Sequence, residues 1–188
     1  MPKDLQIRAV AKKRKFRWKA LHRKLSNEES GTTAVEFGLL ALPFFAIVGA
    51  ILETGIVFLS SAVFDSAIDR STRLVLTGQA QVNNLTGEDF RQVICSNLLG
   101  LFDCSKMVIS VTTHSDFGSA TLTPPIDLTD GTWLLADSYT PGGGSEIVLV
   151  EAHYKWPTIL DIHSFNLSNS GDGHRLMSAV RVFRNEPF

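Results

Sequence analysis

The stretch Phe37 to Phe64 contains 28 residues and a single charged side chain, Glu53. As a helix it would be roughly 42 Å long at 1.5 Å per residue, whereas a bilayer core needs only about 20 residues. A helix apolar on every face must be wrapped by protein or by lipid. Nothing in the remaining sequence is apolar enough to wrap this one. The run therefore predicts one membrane pass over about residues 37–64, and every other part of the fold has to be arranged on either side of it.

Charge supports this division. Residues 1–24 hold ten of the eighteen Lys and Arg and one acid, Asp4, so the near-zero net charge hides a basic arm followed by an acidic body. The cluster Lys12-Lys13-Arg14-Lys15-Phe16-Arg17-Trp18-Lys19 has a density that would bind phosphate in isolation. Its place immediately before the apolar run points instead to a topogenic role, because Lys and Arg stay on the cytoplasmic side and anionic lipid attracts them by about 1 kcal/mol each. The expected topology is N-terminus in the cytoplasm and C-terminus outside, with no nucleic-acid partner. A conventional secretory signal competes for this segment. It fits poorly, since its basic region would exceed 30 residues and its apolar region is too long.

The amphipathic tail Asp65, Asp69, Arg70, Arg73 interleaved with Ala67, Ile68, Leu74 and Val75 extends the helix from near Gly31 to Leu76, where Thr77-Gly78 supplies a stop. Pro43 removes a backbone donor and is expected to kink or loosen it. Thr86 and Asp89 have the spacing of a capping box for a helix over Glu88–Leu99. Strand patterns follow at Lys106–Thr113, Glu146–Trp156 and His174–Phe183. Pro141-Gly142-Gly143-Gly144 is a loop and not a phosphate cradle, because no Lys-Ser or Lys-Thr follows it. The predicted fold class is α+β: a long helix, 32–77, packed at its outer half on a small antiparallel sheet head, 78–188.

Little in the head suggests chemistry. The five histidines have no metal-ligand spacing, and Asp161, His163 and Ser164 lack a nucleophile elbow. No cofactor, metal or catalytic residue is expected. Cys95 and Cys104, both beyond the membrane run, either close a disulfide, with roughly 2 to 3 kcal/mol of stabilisation, or stay as two buried thiols. Ala46, Gly49 and Ala50 form a small-residue face, which either admits a neighbouring helix or faces lipid.

Between the basic arm and the apolar run stands Glu28-Glu29-Ser30-Gly31-Thr32-Thr33-Ala34-Val35-Glu36-Phe37. A Gly followed five residues on by Glu, then an aromatic, resembles the class III signal of type IV prepilins and is similar to its Flp/Tad branch. Glu53, the alternating segment Ile147–Trp156 before Pro157, and the closing Arg184-Asn185-Glu186-Pro187-Phe188 make the sequence resemble TadE-like minor pseudopilins.

The resemblance implies a leader, 1–31, removed after Gly31 by a prepilin peptidase to leave a mature chain of 157 residues starting at Thr32. It further implies a single-pass protein of a bacterial inner membrane with a periplasmic head. Its partners would be other pilins and the assembly platform of a Flp-type pilus or related secretion apparatus. In that setting Glu36 pairs with the new amine of Thr32 and sets subunit register; otherwise it is an interfacial acid reaching for water. Glu53 either contacts another helix or sits among the outer headgroups. The mature length and Phe37, where Flp subunits commonly have Tyr, favour a minor pseudopilin over the fibre subunit. The competing class is an uncleaved, anchored periplasmic binding or sensor module that keeps its basic arm.

Overall fold

The computed structural model describes residues 29–162 and 165–188. The basic arm, with the cluster Lys12 to Lys19, lies outside the described residues, as do His163 and Ser164. Helix α1 spans Glu29–Leu76 and contains Pro43 without ending there. The described residues fall into two units, divided within this helix between Gly49 and Ala50.

In the first unit, α1 from Gly31 to Gly49 is exposed or half-exposed throughout. Val35, Phe37, Leu39, Leu40, Leu42, Phe44, Phe45 and Ile47 all present their side chains outward. No face of this segment is set aside for a protein core, which is what an all-round apolar sequence dictates.

The second unit is the head, and it begins well inside the apolar run. Val57, Ser60, Phe64, Ala67, Ile68, Ser71, Thr72 and Val75 are buried, and their spacing of three and four residues makes one stripe along α1. Thr77 N–H and Gly78 N–H close the helix on the carbonyls of Arg73 and Val75. Gly78 takes a left-handed conformation, φ 74°, in which the Phe188 ring packs where a Cβ would stand. Any other residue there would meet both a strained backbone and that ring.

A short helix α2, Gln79–Val82, precedes α3, Gly87–Ser96. Thr86 caps α3 in a complete capping box: its hydroxyl accepts from Asp89 N–H, and the Asp89 carboxylate accepts from Thr86 N–H at 2.8 Å. The start agrees with the expectation from Thr86 and Asp89, while the end falls three residues earlier than Leu99. Phe90 and Ile94 are the buried face of α3. Cys95 and Cys104 are joined in a disulfide that ties the end of α3 to a 3-10 turn, Cys104–Lys106.

The main sheet contains β1 (Val108–His114), β2 (Ser138–Tyr139), β3 (Ile147–Pro157) and, after a small hairpin of β4 (Asp161–Ile162) with β5 (Phe165–Asn166), β6 (His174–Arg184). Strand order is β2-β1-β3-β6. β1 with β3 and β3 with β6 are antiparallel, in the register Val111↔Val150 and Ala152↔Ala179. β2 runs parallel to β1, pairing Ser110↔Ser138 and Val111↔Tyr139. The sheet is therefore mixed where an antiparallel one was expected. The cause is the long connection 115–137, which is enough chain to cross back and lay β2 alongside β1 in the same direction.

Ile109, Val111, Val148, Val150, Ala152, Tyr154, Met177 and Ala179 face the α1 stripe and share one core with it. Phe102 joins that core, its ring 5.5 Å from Phe64, 5.0 Å from Tyr154 and 5.3 Å from Trp156. Arg181 adds a polar clamp at the margin, donating to Asp69 at 2.5 Å and to Asp65 at 3.0 Å.

Candidate functional site

The residues singled out from the sequence occupy α1 and its attachments. Gly31, Thr32 and Glu36 all lie within the helix and are exposed. A Cβ added at Gly31 would meet nothing within 4 Å. Five residues of helix separate Gly31 from Glu36, a rise of about 7.5 Å. The helix presents both to its surroundings, so each is available to another molecule.

Glu53 is different. It is only 7% exposed, and its carboxylate accepts backbone N–H bonds from Ile159 at 2.6 Å and from Leu160 at 3.1 Å. Its partner is thus the chain's own loop 158–160, which follows β3 where Pro157 ends the strand. Thr158 steadies the same loop by donating from its hydroxyl to Gly173 O at 2.7 Å. A buried carboxyl group that accepts from two amides has its acceptors satisfied, and the amides are satisfied in return. Sequence reasoning sought this partner on a neighbouring helix or in the headgroups. Nothing local at positions 53, 159 or 160 announces a contact spanning more than 100 residues.

The closing segment Arg184 to Phe188 folds back on the head. Asn185 is 2% exposed; its N–H donates to Glu146 O at 2.8 Å, and its side-chain amide donates to Pro141 O and Gly143 O, both at 2.9 Å. Glu186 N–H donates to Leu76 O at 2.9 Å, at the last turn of α1. Gln81 reaches the same glycine loop from the other side, donating to Pro141 O at 2.9 Å and Gly142 O at 3.1 Å. The glycine loop is therefore a pinned element. At 144 a Cβ would come within 3.0 Å of Phe188 N, so a larger residue there requires the last residues of the chain to shift by a few tenths of an ångström.

On the sheet face turned away from α1, Glu151 and His153 are buried side by side in β3. His153 Nδ1 shares a 2.9 Å hydrogen bond with Ser178 Oγ, and Nε2 lies 4.0 Å from Glu151 Oε1 with no hydrogen-bond partner of its own. Burial pushes the His153 imidazole down to about 4, so the ring is neutral near pH 7. Burial also pushes the Glu151 carboxyl up, with His114 pulling the other way.

A cleft of about 250 Å³ lies between the start of α3 and β2, lined by Glu88, Arg91, Asp137 and Tyr139 among others. Its charges are already committed: Arg91 bonds Asp137 at 2.7 Å and the carbonyls of Cys104 and Met107, and Asp137 accepts from Ile109 N–H at 2.8 Å. No cluster of His, Cys, Asp and Glu suited to a metal occurs among the described residues.

One helix among the described residues is long and apolar enough to cross a membrane. Comparison with curated proteins and with solved structures gave no match. Residues 31–73 match the family model of TadE-like proteins. The match begins at Gly31, takes in Glu36, Pro43 and Glu53, and runs into the buried stripe of the head, so the similarity to TadE-like proteins covers the long helix and not the sheet.

Proposed function

We propose that the chain is a prepilin-like minor pseudopilin of a Flp-type pilus or related secretion apparatus, cut after Gly31 and acting by assembly and not by catalysis. The observation that carries this reading is the TadE-like match beginning at Gly31, on a helix whose first half is apolar and exposed. In this reading the basic leader remains in the cytoplasm until a prepilin peptidase removes it. Thr32 then carries the new amine, Glu36 is its partner in the same or a neighbouring subunit, and other pilins and the assembly platform pack on the exposed helix. The head stands in the periplasm, where an oxidising environment suits the Cys95–Cys104 bond.

The membrane part of α1 then ends at about Glu53 and not at Phe64. Val57, Ser60 and Phe64 belong to the head core, and the 20 residues from Thr33 to Leu52 span about 30 Å, the thickness of a bilayer core.

Intact mass and N-terminal sequencing of the protein extracted from membranes of cells with and without prepilin peptidase test the reading. The expected result is a peptidase-dependent start at Thr32. An intact Met1 in both strains would replace it with an anchored periplasmic module, and a start near Val63 with ordinary secretion.

A further inference from the structure

The loop tip Ile159-Leu160 has two properties that do not belong together on an ordinary surface. Ile159 is 84% exposed, among the most exposed large apolar side chains of the head. Yet the backbone donors of both residues are taken by the Glu53 carboxylate. Exposed loops usually leave their N–H groups to water, and spending a buried carboxylate on them is unnecessary where water is present.

The arrangement makes sense where water is scarce. Next to hydrocarbon, where water does not reach, an unsatisfied backbone N–H costs several kcal/mol, so a loop standing at its edge gains from having those groups taken by protein. Glu53 supplies that satisfaction from one residue beyond Leu52, where the membrane part of α1 proposed above ends. Leu52 and Ile56, on either side of Glu53 in sequence, are themselves exposed and apolar. The segment Trp156 to Leu160 carries no charge.

We propose that the Ile159-Leu160 tip is a membrane-contact element, seated in the interfacial layer of the bilayer beside the point where α1 emerges, with Glu53 satisfying its backbone. The occupant is lipid. The tip fixes how deep and at what rotation the head stands on the membrane, because a head tied at one helix and one loop cannot swivel about the helix alone. This inference rests on the membrane-spanning reading of α1.

The test uses the full chain reconstituted in phosphatidylcholine and phosphatidylglycerol vesicles, labelled with an environment-sensitive fluorophore at Ile159→Cys. The control carries the label at Val82→Cys, a 75% exposed apolar position just past the far end of α1. Lipids bearing a nitroxide near the headgroup are expected to quench the label at 159 at least threefold more than that at 82, and aqueous iodide the reverse. Glu53→Ala should bring the label at 159 towards the control by releasing the tip.

Equal iodide quenching at both positions, with no lipid quenching at 159, would overturn the proposal. So would protection at 159 that fades when the protein-to-lipid ratio is lowered tenfold, since that would assign the tip to a neighbouring copy. Release of the unlabelled chain from vesicles by alkaline carbonate would show instead that the membrane reading of α1 had failed.

Discussion

His153 is buried without a charge partner that balances its desolvation, and the consequence is a pH dependence with a defined sign. The unfolded imidazole takes up its proton near 6.5, the folded one at about 4, so between those values the unfolded state binds more protons and stability rises with pH. The histidine's contribution is fully present above pH 6.5 and is lost as pH falls towards 4, by up to about 3 kcal/mol at 1.36 kcal/mol per pKa unit. Glu151 has the opposite slope, because its raised carboxyl favours folding at low pH and loses that advantage as pH rises past the ordinary carboxylate range. Ser178 Oγ, at 2.9 Å, and the Glu151 carboxylate, at 4.0 Å, are polar groups beside the ring. Urea denaturation of the parent and of His153→Gln at several pH values isolates the histidine. The variant should lose less stability than the parent between pH 6.5 and 4, and parallel curves would refute the assignment.

The elements of the head show which parts of a fold local sequence can specify. The capping box of α3 needs only Thr86 and Asp89, three residues apart, and it forms as the spacing predicts. β3 and β6 are long runs with strong β preference, and both form within a residue or two of their expected bounds. β2 is two residues long and polar; it exists because β1 offers an edge, and nothing at Ser138-Tyr139 encodes it. The disulfide fastens α3 to the turn before β1 across nine residues. Replacing both cysteines by Ala should lower stability by roughly 2 to 3 kcal/mol, the loop-closure entropy that so short a cross-link removes from the unfolded chain. Thermal unfolding of the double variant against the oxidised parent checks this, and an unchanged midpoint would mean that α3 is held by Phe90, Ile94 and the Arg91 clamp without it.

At the scale of the molecule, the C-terminal pentapeptide acts as a clasp. It joins the end of α1, the glycine loop and β6 through Asn185, Glu186 and Phe188. Asn185→Leu would remove two hydrogen bonds, to the carbonyls of Pro141 and Gly143, a loss of about 1 kcal/mol for each. Hydrogen exchange should then quicken first at Ser145 and Glu186, whose amides are donors in the clasp. Uniform quickening across the sheet instead would show that the segment is part of the global fold and has no separate role as a closure.

The amino-acid sequence by itself determined the membrane-length helix, the stripe that continues it into the head, the α3 cap and the three long strands. These depend on periodicity and on residues within a few positions of one another, so the information is local. Only the tertiary structure decided where the head begins on the helix, which partner Glu53 takes, how β2 runs and what the last five residues do. Each of those is a pairing across tens to more than a hundred residues, and a carboxylate, an amide side chain or a strand edge is satisfied equally well by many partners until packing brings one of them within reach.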